Sequence, residues 1–190
     1  MKNLSYSMMP LPPRKTIFLS PRFPSGTFSV EGYGYREPMP ASFIDRPFGT
    51  GDYLVMFFHN PVAAGTSDED RIRAPHAHIW DPGSRQRYGH PSRSYVHSWL
   101  HCQGALATSL LGDGGEGGIC LRPLALEAET FLAFLRGLHV ELSQEHPDPV
   151  IAANLFENWA RDAVRQTGGS VAPVPEPLRR ARAHIDLHYA

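Results

Sequence analysis

Residues 95–102 read YVHSWLHC, and Tyr95, His97, Trp99 and His101 alternate there with Val96, Ser98, Leu100 and Cys102. A strand sends successive side chains to opposite faces. One face then carries four rings with polar edges, and the other carries mostly smaller residues. Such a row suits the wall of a small-molecule cavity, which needs apolar area and a few placed polar groups. It equally suits an aromatic core whose histidines are satisfied, and the row by itself leaves both open. A second stretch, DYLVMFFH at 52–59, is apolar on both faces: Tyr53, Val55, Phe57 and His59 on one, Leu54, Met56 and Phe58 on the other. Turn signals on either side favour a strand buried on both sides over a helical segment. With 17 Gly, 18 Pro and 11% aromatic residues, the chain reads as a β-rich domain with many turns.

The 190 residues suffice for one substantial domain, or for one domain and a fragment of another. A formal net charge of −1 provides no basic surplus for nucleic-acid binding by these residues. Cys102 and Cys120 form no CxxC pair and no disulfide framework. Residues 1–15 lack the apolar run of a signal peptide, and no stretch approaches the roughly 20 apolar residues of a membrane span. A reduced, cytoplasmic setting is the expectation.

Along the chain, residues 1–15 read as a proline-broken arm and 16–20 as a short strand. Residues 27–35 read as a strand bent or bulged at Gly32 and Gly34. Residues 61–70 read as a polar loop. Residues 71–79 lead as a strand into the Asp81-Pro82-Gly83 turn. A short helix is expected at 106–111 and a flexible glycine loop at 112–118. After Pro123 the period changes. Phe131, Phe134, Leu135, Leu138 and Leu142 fall at helical spacing. Asp148 is placed to cap a second helix with Pro149 at its first position. Two such helices joined by a short loop form an antiparallel hairpin. Packing on the β-domain is the simplest use of their apolar faces. Residues 170–177 read as a proline-rich linker. Residues 178–190, LRRARAHIDLHY and a final Ala, read as the start of a further, basic helix.

The order of these features resembles the arabinose-regulator (AraC) family of bacterial transcription factors. The likeness covers residues 43–190. FIDRP at 43–47, the turn from Asp81-Pro82-Gly83 to Arg87-Tyr88-Gly89, VHSWLH at 96–101 and the final basic helix carry it. The resemblance implies a mainly β fold: a cupin-like double-stranded β-helix (a jelly-roll barrel) over 16–122, followed by two antiparallel helices over 123–169 that serve as a homodimer interface. It implies a sugar-like effector in the barrel, with the arm able to close over it. It also implies a DNA-binding helix-turn-helix domain beginning at 178–190, so DNA would be engaged only through that further domain. Matched by position, Arg46, Tyr88, His97 and Trp99 are the implied effector contacts. Their chemistry fits a small polar ligand. Arg46 offers a fork of donors to hydroxyls or a carboxylate. Trp99 offers a flat apolar face with one indole N–H. His97 and Tyr88 can each donate or accept.

Cupin barrels also host metal enzymes, and His76 and His78 share a strand face at a spacing found in metal-binding barrels. Such a site needs further ligands that converge. No Glu follows the pair, and Gln86 stands where the turn motif has a histidine. His90, His97 and His101 are the remaining candidates. No Ser/His/Asp or Cys/His arrangement can be read from the sequence. The expectation is a non-catalytic sensor without metal or cofactor, and the competing reading is a metal-dependent cupin enzyme using His76 and His78.

Overall fold

Strand β4 (Tyr53–Phe58) is buried at every position, and the two sides of the molecule are built on its two faces. A computed structural model describes residues 11–24, 26–112 and 128–166. In it β4 lies between β8 (Tyr95–Gln103) and β6 (His76–Trp80). With β1 (Arg14–Arg22) and β2 (Ser29–Met39) they form an antiparallel five-stranded sheet, in the order β1-β2-β8-β4-β6. A smaller antiparallel sheet holds β3 (Ser42–Arg46), β7 (Gln86–His90) and β5 (Ala63–Gly65), in the order β3-β7-β5. From β2 to β8 each successive strand switches sheet.

The period-2 reading of β4 and β8 is reproduced in the packing. Leu54, Met56 and Phe58 join Trp80, Tyr88, Tyr95 and Trp99 in one apolar cluster, fed by both sheets. Tyr53, Val55 and Phe57 join Leu100 and Cys102 in a second cluster, on the opposite face, with residues of three helices. These are α1 (Ala105–Leu111), α2 (Ala128–Leu142) and α3 (Pro149–Gln166). A fully buried Leu or Phe side chain contributes about 1.5–3 kcal/mol relative to exposure. A strand with six such positions therefore demands cover on both sides.

The helical hairpin forms as its sequence dictates. Asp148 Oδ1 accepts the Val150 N–H at 2.7 Å, and the Asp148 carbonyl accepts the Ala152 N–H at 3.1 Å, which caps α3. Phe131 meets Trp159, Phe134 meets Phe156, and Leu155 lies over Gly137. Contacts that advance along α2 while receding along α3 make the pair antiparallel. Phe28 stacks on Phe156 at 4.3 Å and ties the hairpin to the large sheet. The apolar faces of both helices are thus spent within the chain. Val140, Val150 and Ile151 remain exposed.

Several sequence expectations need correction. The stretch 61–70 is not all polar loop: Val62, Ala63 and Ala64 are buried, and β5 pairs with β7. Three small residues are too few to show a period. The strand expected over 71–79 starts only at His76, with Arg73 forming a single bridge to Val62. The arm expected to reach residue 15 ends earlier, because Arg14 and Lys15 already pair with Tyr35 and Gly34. As an edge strand, β1 buries one face only in part: Arg14, Thr16 and Phe18 are half-buried, and Lys15, Ile17 and Leu19 are exposed. Residues 1–10, the glycine loop from 113, the linker at 170–177 and the basic segment at 178–190 lie outside the described residues.

Candidate functional site

Between the sheets lies a cavity of about 450 Å³. Arg46, Tyr88, His97 and Trp99, chosen from the sequence, all line it. They come from three strands. His97 and Trp99 stand on the ring-bearing face of β8, joined by His101, as the alternation requires. Arg46 and Ile44 point inward from β3, where Ile44 is paired with Tyr88 and Arg46 with Gln86 of β7. Trp99 lies over Gly34, its cross-strand partner, and Gly32; a methyl group on Gly34 would overlap the indole ring. The glycines that bend β2 are therefore also the seat of Trp99. The β2–β8 register shifts between Val30 and Gly32 and again between Gly34 and Glu37.

The second shift turns Glu37 into the cavity. Trp99 Nε1 donates to Glu37 Oε2 at 2.5 Å, His97 Nε2 donates to the same oxygen at 3.3 Å, and Lys15 Nζ lies 3.2 Å from Oε1. Burial opposes the charge on Glu37. The bonds from His97 and Trp99, the His97 charge and the Lys15 contact outweigh it, and hold the carboxyl at about 2. Lys15 also sits 5.9 Å above the Trp99 ring. The indole N–H is thus used within the protein, which leaves Trp99 only its apolar surface to offer a ligand.

A second chain of bonds runs from β3 and β7 to His101 on β8. Arg46 Nη1 donates to Gln86 Oε1 at 3.1 Å, and Gln86 Nε2 donates to Thr50 Oγ1 at 2.8 Å. Thr50 Oγ1 donates to Asp52 Oδ1 at 2.5 Å, and His101 Nδ1 donates to both Asp52 oxygens at 2.9 and 3.0 Å. Gln86 is fully buried. Where the resembled motif has a histidine, this chain has an amide that accepts from Arg46 and donates onward in one step.

Deeper in the same interior, His76 Nε2, Tyr95 Oη and His97 Nδ1 are buried with no partner among the described residues. The rings of all three lie around Phe58. Burial raises the Tyr88 hydroxyl above its ordinary pKa, against the pull of Arg46, so the phenol is a protonated donor at neutral pH.

The histidine pair shares a strand face as expected, and that face turns inward, with His78 opposite Met56 and His76 opposite Phe58. Its surroundings are those of packed rings: His78 lies 4.2 Å from Trp80, and His76 Nδ1 bonds the Ala74 carbonyl at 2.8 Å. His90 Nδ1 accepts from the Ser92 and Arg93 N–H groups, and His101 is committed to Asp52. Among the described residues no three His, Cys, Asp or Glu side chains group as a metal site.

Sequence reasoning missed Glu37, Lys15, Thr50 and Asp52. Asp52 left a signal, as a charge opening an otherwise apolar run. Glu37 left none, because only the bulge turns it inward. Outside the cavity the same bulge reaches the helices. Tyr35 Oη accepts from Arg136 Nη1 at 3.0 Å. Arg36, in the left-handed region at φ 49°, donates to Glu129 at 3.5 Å in the first turn of α2.

No protein-family model matches the chain, and no curated protein matches it. Among solved structures, a cupin domain from Bordetella pertussis Tohama I is similar over 48% of this chain and 92% of its own, at 13% identity and a TM-score of 0.32. A cupin domain of an XRE-family transcriptional regulator from Enterobacter cloacae is similar over 44% of this chain and 92% of its own, at 16% identity and a TM-score of 0.31. No helix among the described residues is long and apolar enough to cross a membrane.

Proposed function

We propose that this chain is the effector-sensing and dimerisation part of a transcriptional regulator of the arabinose-regulator type, built on a cupin-like barrel. One observation carries the reading: four residues selected from sequence motifs alone line a single cavity. Its size and its mixture of apolar walls with a few polar groups are those of a small-molecule site. The strand-by-strand switching between sheets supports the jelly-roll description. The ligand is a small polar compound, sugar-like in size, and leaves unchanged.

Signalling requires that the ligand bind one arrangement better than another. The β2 bulge supplies a physical connection, since Glu37 touches the cavity while Tyr35 and Arg36 hold α2. A twofold dimer through the outer face of the hairpin, around Val140, Val150 and Ile151, would carry the change to a DNA-binding domain beginning at 178–190. A purified protein that stays monomeric at high concentration, with or without ligand, contradicts that interface.

The cavity claim is tested by a thermal-shift screen of sugars, sugar acids and aromatic acids. A ligand at 100 times its Kd adds about 2.7 kcal/mol to stability. The expected result is at least one such ligand whose effect disappears in Trp99→Ala. If none shifts the transition, the sensor reading fails.

A further inference from the structure

The charged groups of the cavity are unequally served. Glu37 receives Trp99, His97 and Lys15, Asp52 receives Thr50 and His101, and Glu31 receives Gln103. Lys15 has its counter-charge in Glu37. Arg46 does not: its one bond among the described residues is to a neutral amide oxygen, Gln86 Oε1. A guanidinium carries five N–H donors, so most of the fork is uncommitted. The relay beyond Gln86 ends on Asp52, which Gln86 and Thr50 separate from Arg46 and which takes its own donors from Thr50 and His101.

Tyr88 stands on the same inward face, diagonally across the β3–β7 pair from Arg46. Diagonal neighbours lie about 7–8 Å apart, within reach of long side chains. Its hydroxyl has no hydrogen-bond partner among the described residues, although the ring is 4% exposed. A cation and a phenol thus stand side by side on one wall of the cavity, and the cation faces only a neutral amide oxygen. A neutral polyol brings donors and acceptors in equal supply. A carboxylate or phosphate brings acceptors only, in the planar or tripodal geometry that a guanidinium fork matches.

Resting on the sensor reading above, we propose that the ligand is a small organic anion. Its carboxylate or phosphate is received by the Arg46 guanidinium and the Tyr88 hydroxyl, and its uncharged body lies along Trp99. Glu37 has no place for a ligand cation, because Lys15 already occupies that side of it. A zwitterion is therefore disfavoured against a simple acid.

Matched probes test this on the whole chain. Glucose and galactose, each with its uronate and its 6-phosphate, and benzyl alcohol with benzoate, are titrated by calorimetry against wild type, Arg46→Gln and Arg46→Lys. Melting curves of both variants verify folding. The expected result is that a charged member binds at least tenfold more tightly than its neutral partner. Arg46→Gln removes that preference, and Arg46→Lys, which keeps the charge but not the fork, keeps part of it. Whether the uronate or the phosphate ester leads identifies the anion. A neutral member that binds as tightly as its acid, with Arg46→Gln indifferent, overturns the anion subsite and leaves the sensor reading standing. Absence of binding by every charged member overturns the anion subsite too. Binding by neutral sugars alone in the wider thermal-shift screen would then keep the sensor reading.

Discussion

Replacing Glu37 with Gln removes the charge at the centre of the cavity while keeping its shape. In the folded protein the carboxyl falls from an ordinary 4.5 to about 2. That depression corresponds to roughly 3 kcal/mol favouring the charged form. Lys15 is half exposed and the carboxylate itself partly so, and solvent screening reduces the net contribution to about 1–2 kcal/mol. A depressed pKa contributes stability that is complete above 4.5 and is lost as pH falls through 2. Wild type should therefore exceed Glu37→Gln by about 1–2 kcal/mol in urea unfolding at pH 7. The gap should narrow below pH 4.5 and close towards pH 2. Asp45, whose carboxyl is also held low by Arg85, titrates in both proteins and cancels from the difference. A gap that stays constant from pH 7 to pH 2.5 would refute the ion cluster as the source of the effect.

Three further outcomes follow from the packing. Gly34→Ala should force Trp99 off β2, cost about 1–3 kcal/mol as overpacking, and change the tryptophan emission at neutral pH; an unchanged spectrum and melting point contradict the seat described for Trp99. Asp148→Ala should lower stability by about 1 kcal/mol through loss of the α3 cap, whereas Asp148→Asn should cost little. Metal content by elemental analysis should be far below one ion per chain in wild type and unchanged in His76→Ala; near-stoichiometric Fe, Mn or Zn lost in the variant supports the enzyme reading instead.

What could be read from the sequence was what local periodicity records. The two faces of β8, the double-sided burial of β4, the helix spacing through Phe131, Phe134 and Leu138, and the Asp148 cap all follow from rules spanning a few residues. Position-by-position resemblance gave four side chains that the fold brings to one cavity. The parts that were not legible depend on register. Glu37 enters the cavity only because the β2–β8 ladder slips beside it. Lys15 matters only because an edge strand is laid beside β2. The short β5 is set by pairing to β7, not by any pattern of its own. Gln86 was visible as a departure from a motif, but its role in bridging Arg46 to Thr50 needed β3, β7 and the loop that carries Thr50 in place.

The most direct test of a ligand-sensing cavity is electron density from crystals grown with the tightest binder of the thermal-shift screen. The predicted result is one ordered ligand between the sheets, lying along the Trp99 ring and within hydrogen-bond distance of Arg46 and Tyr88. A ligand bound elsewhere, with Arg46, Tyr88, His97 and Trp99 closed on one another, would contradict it.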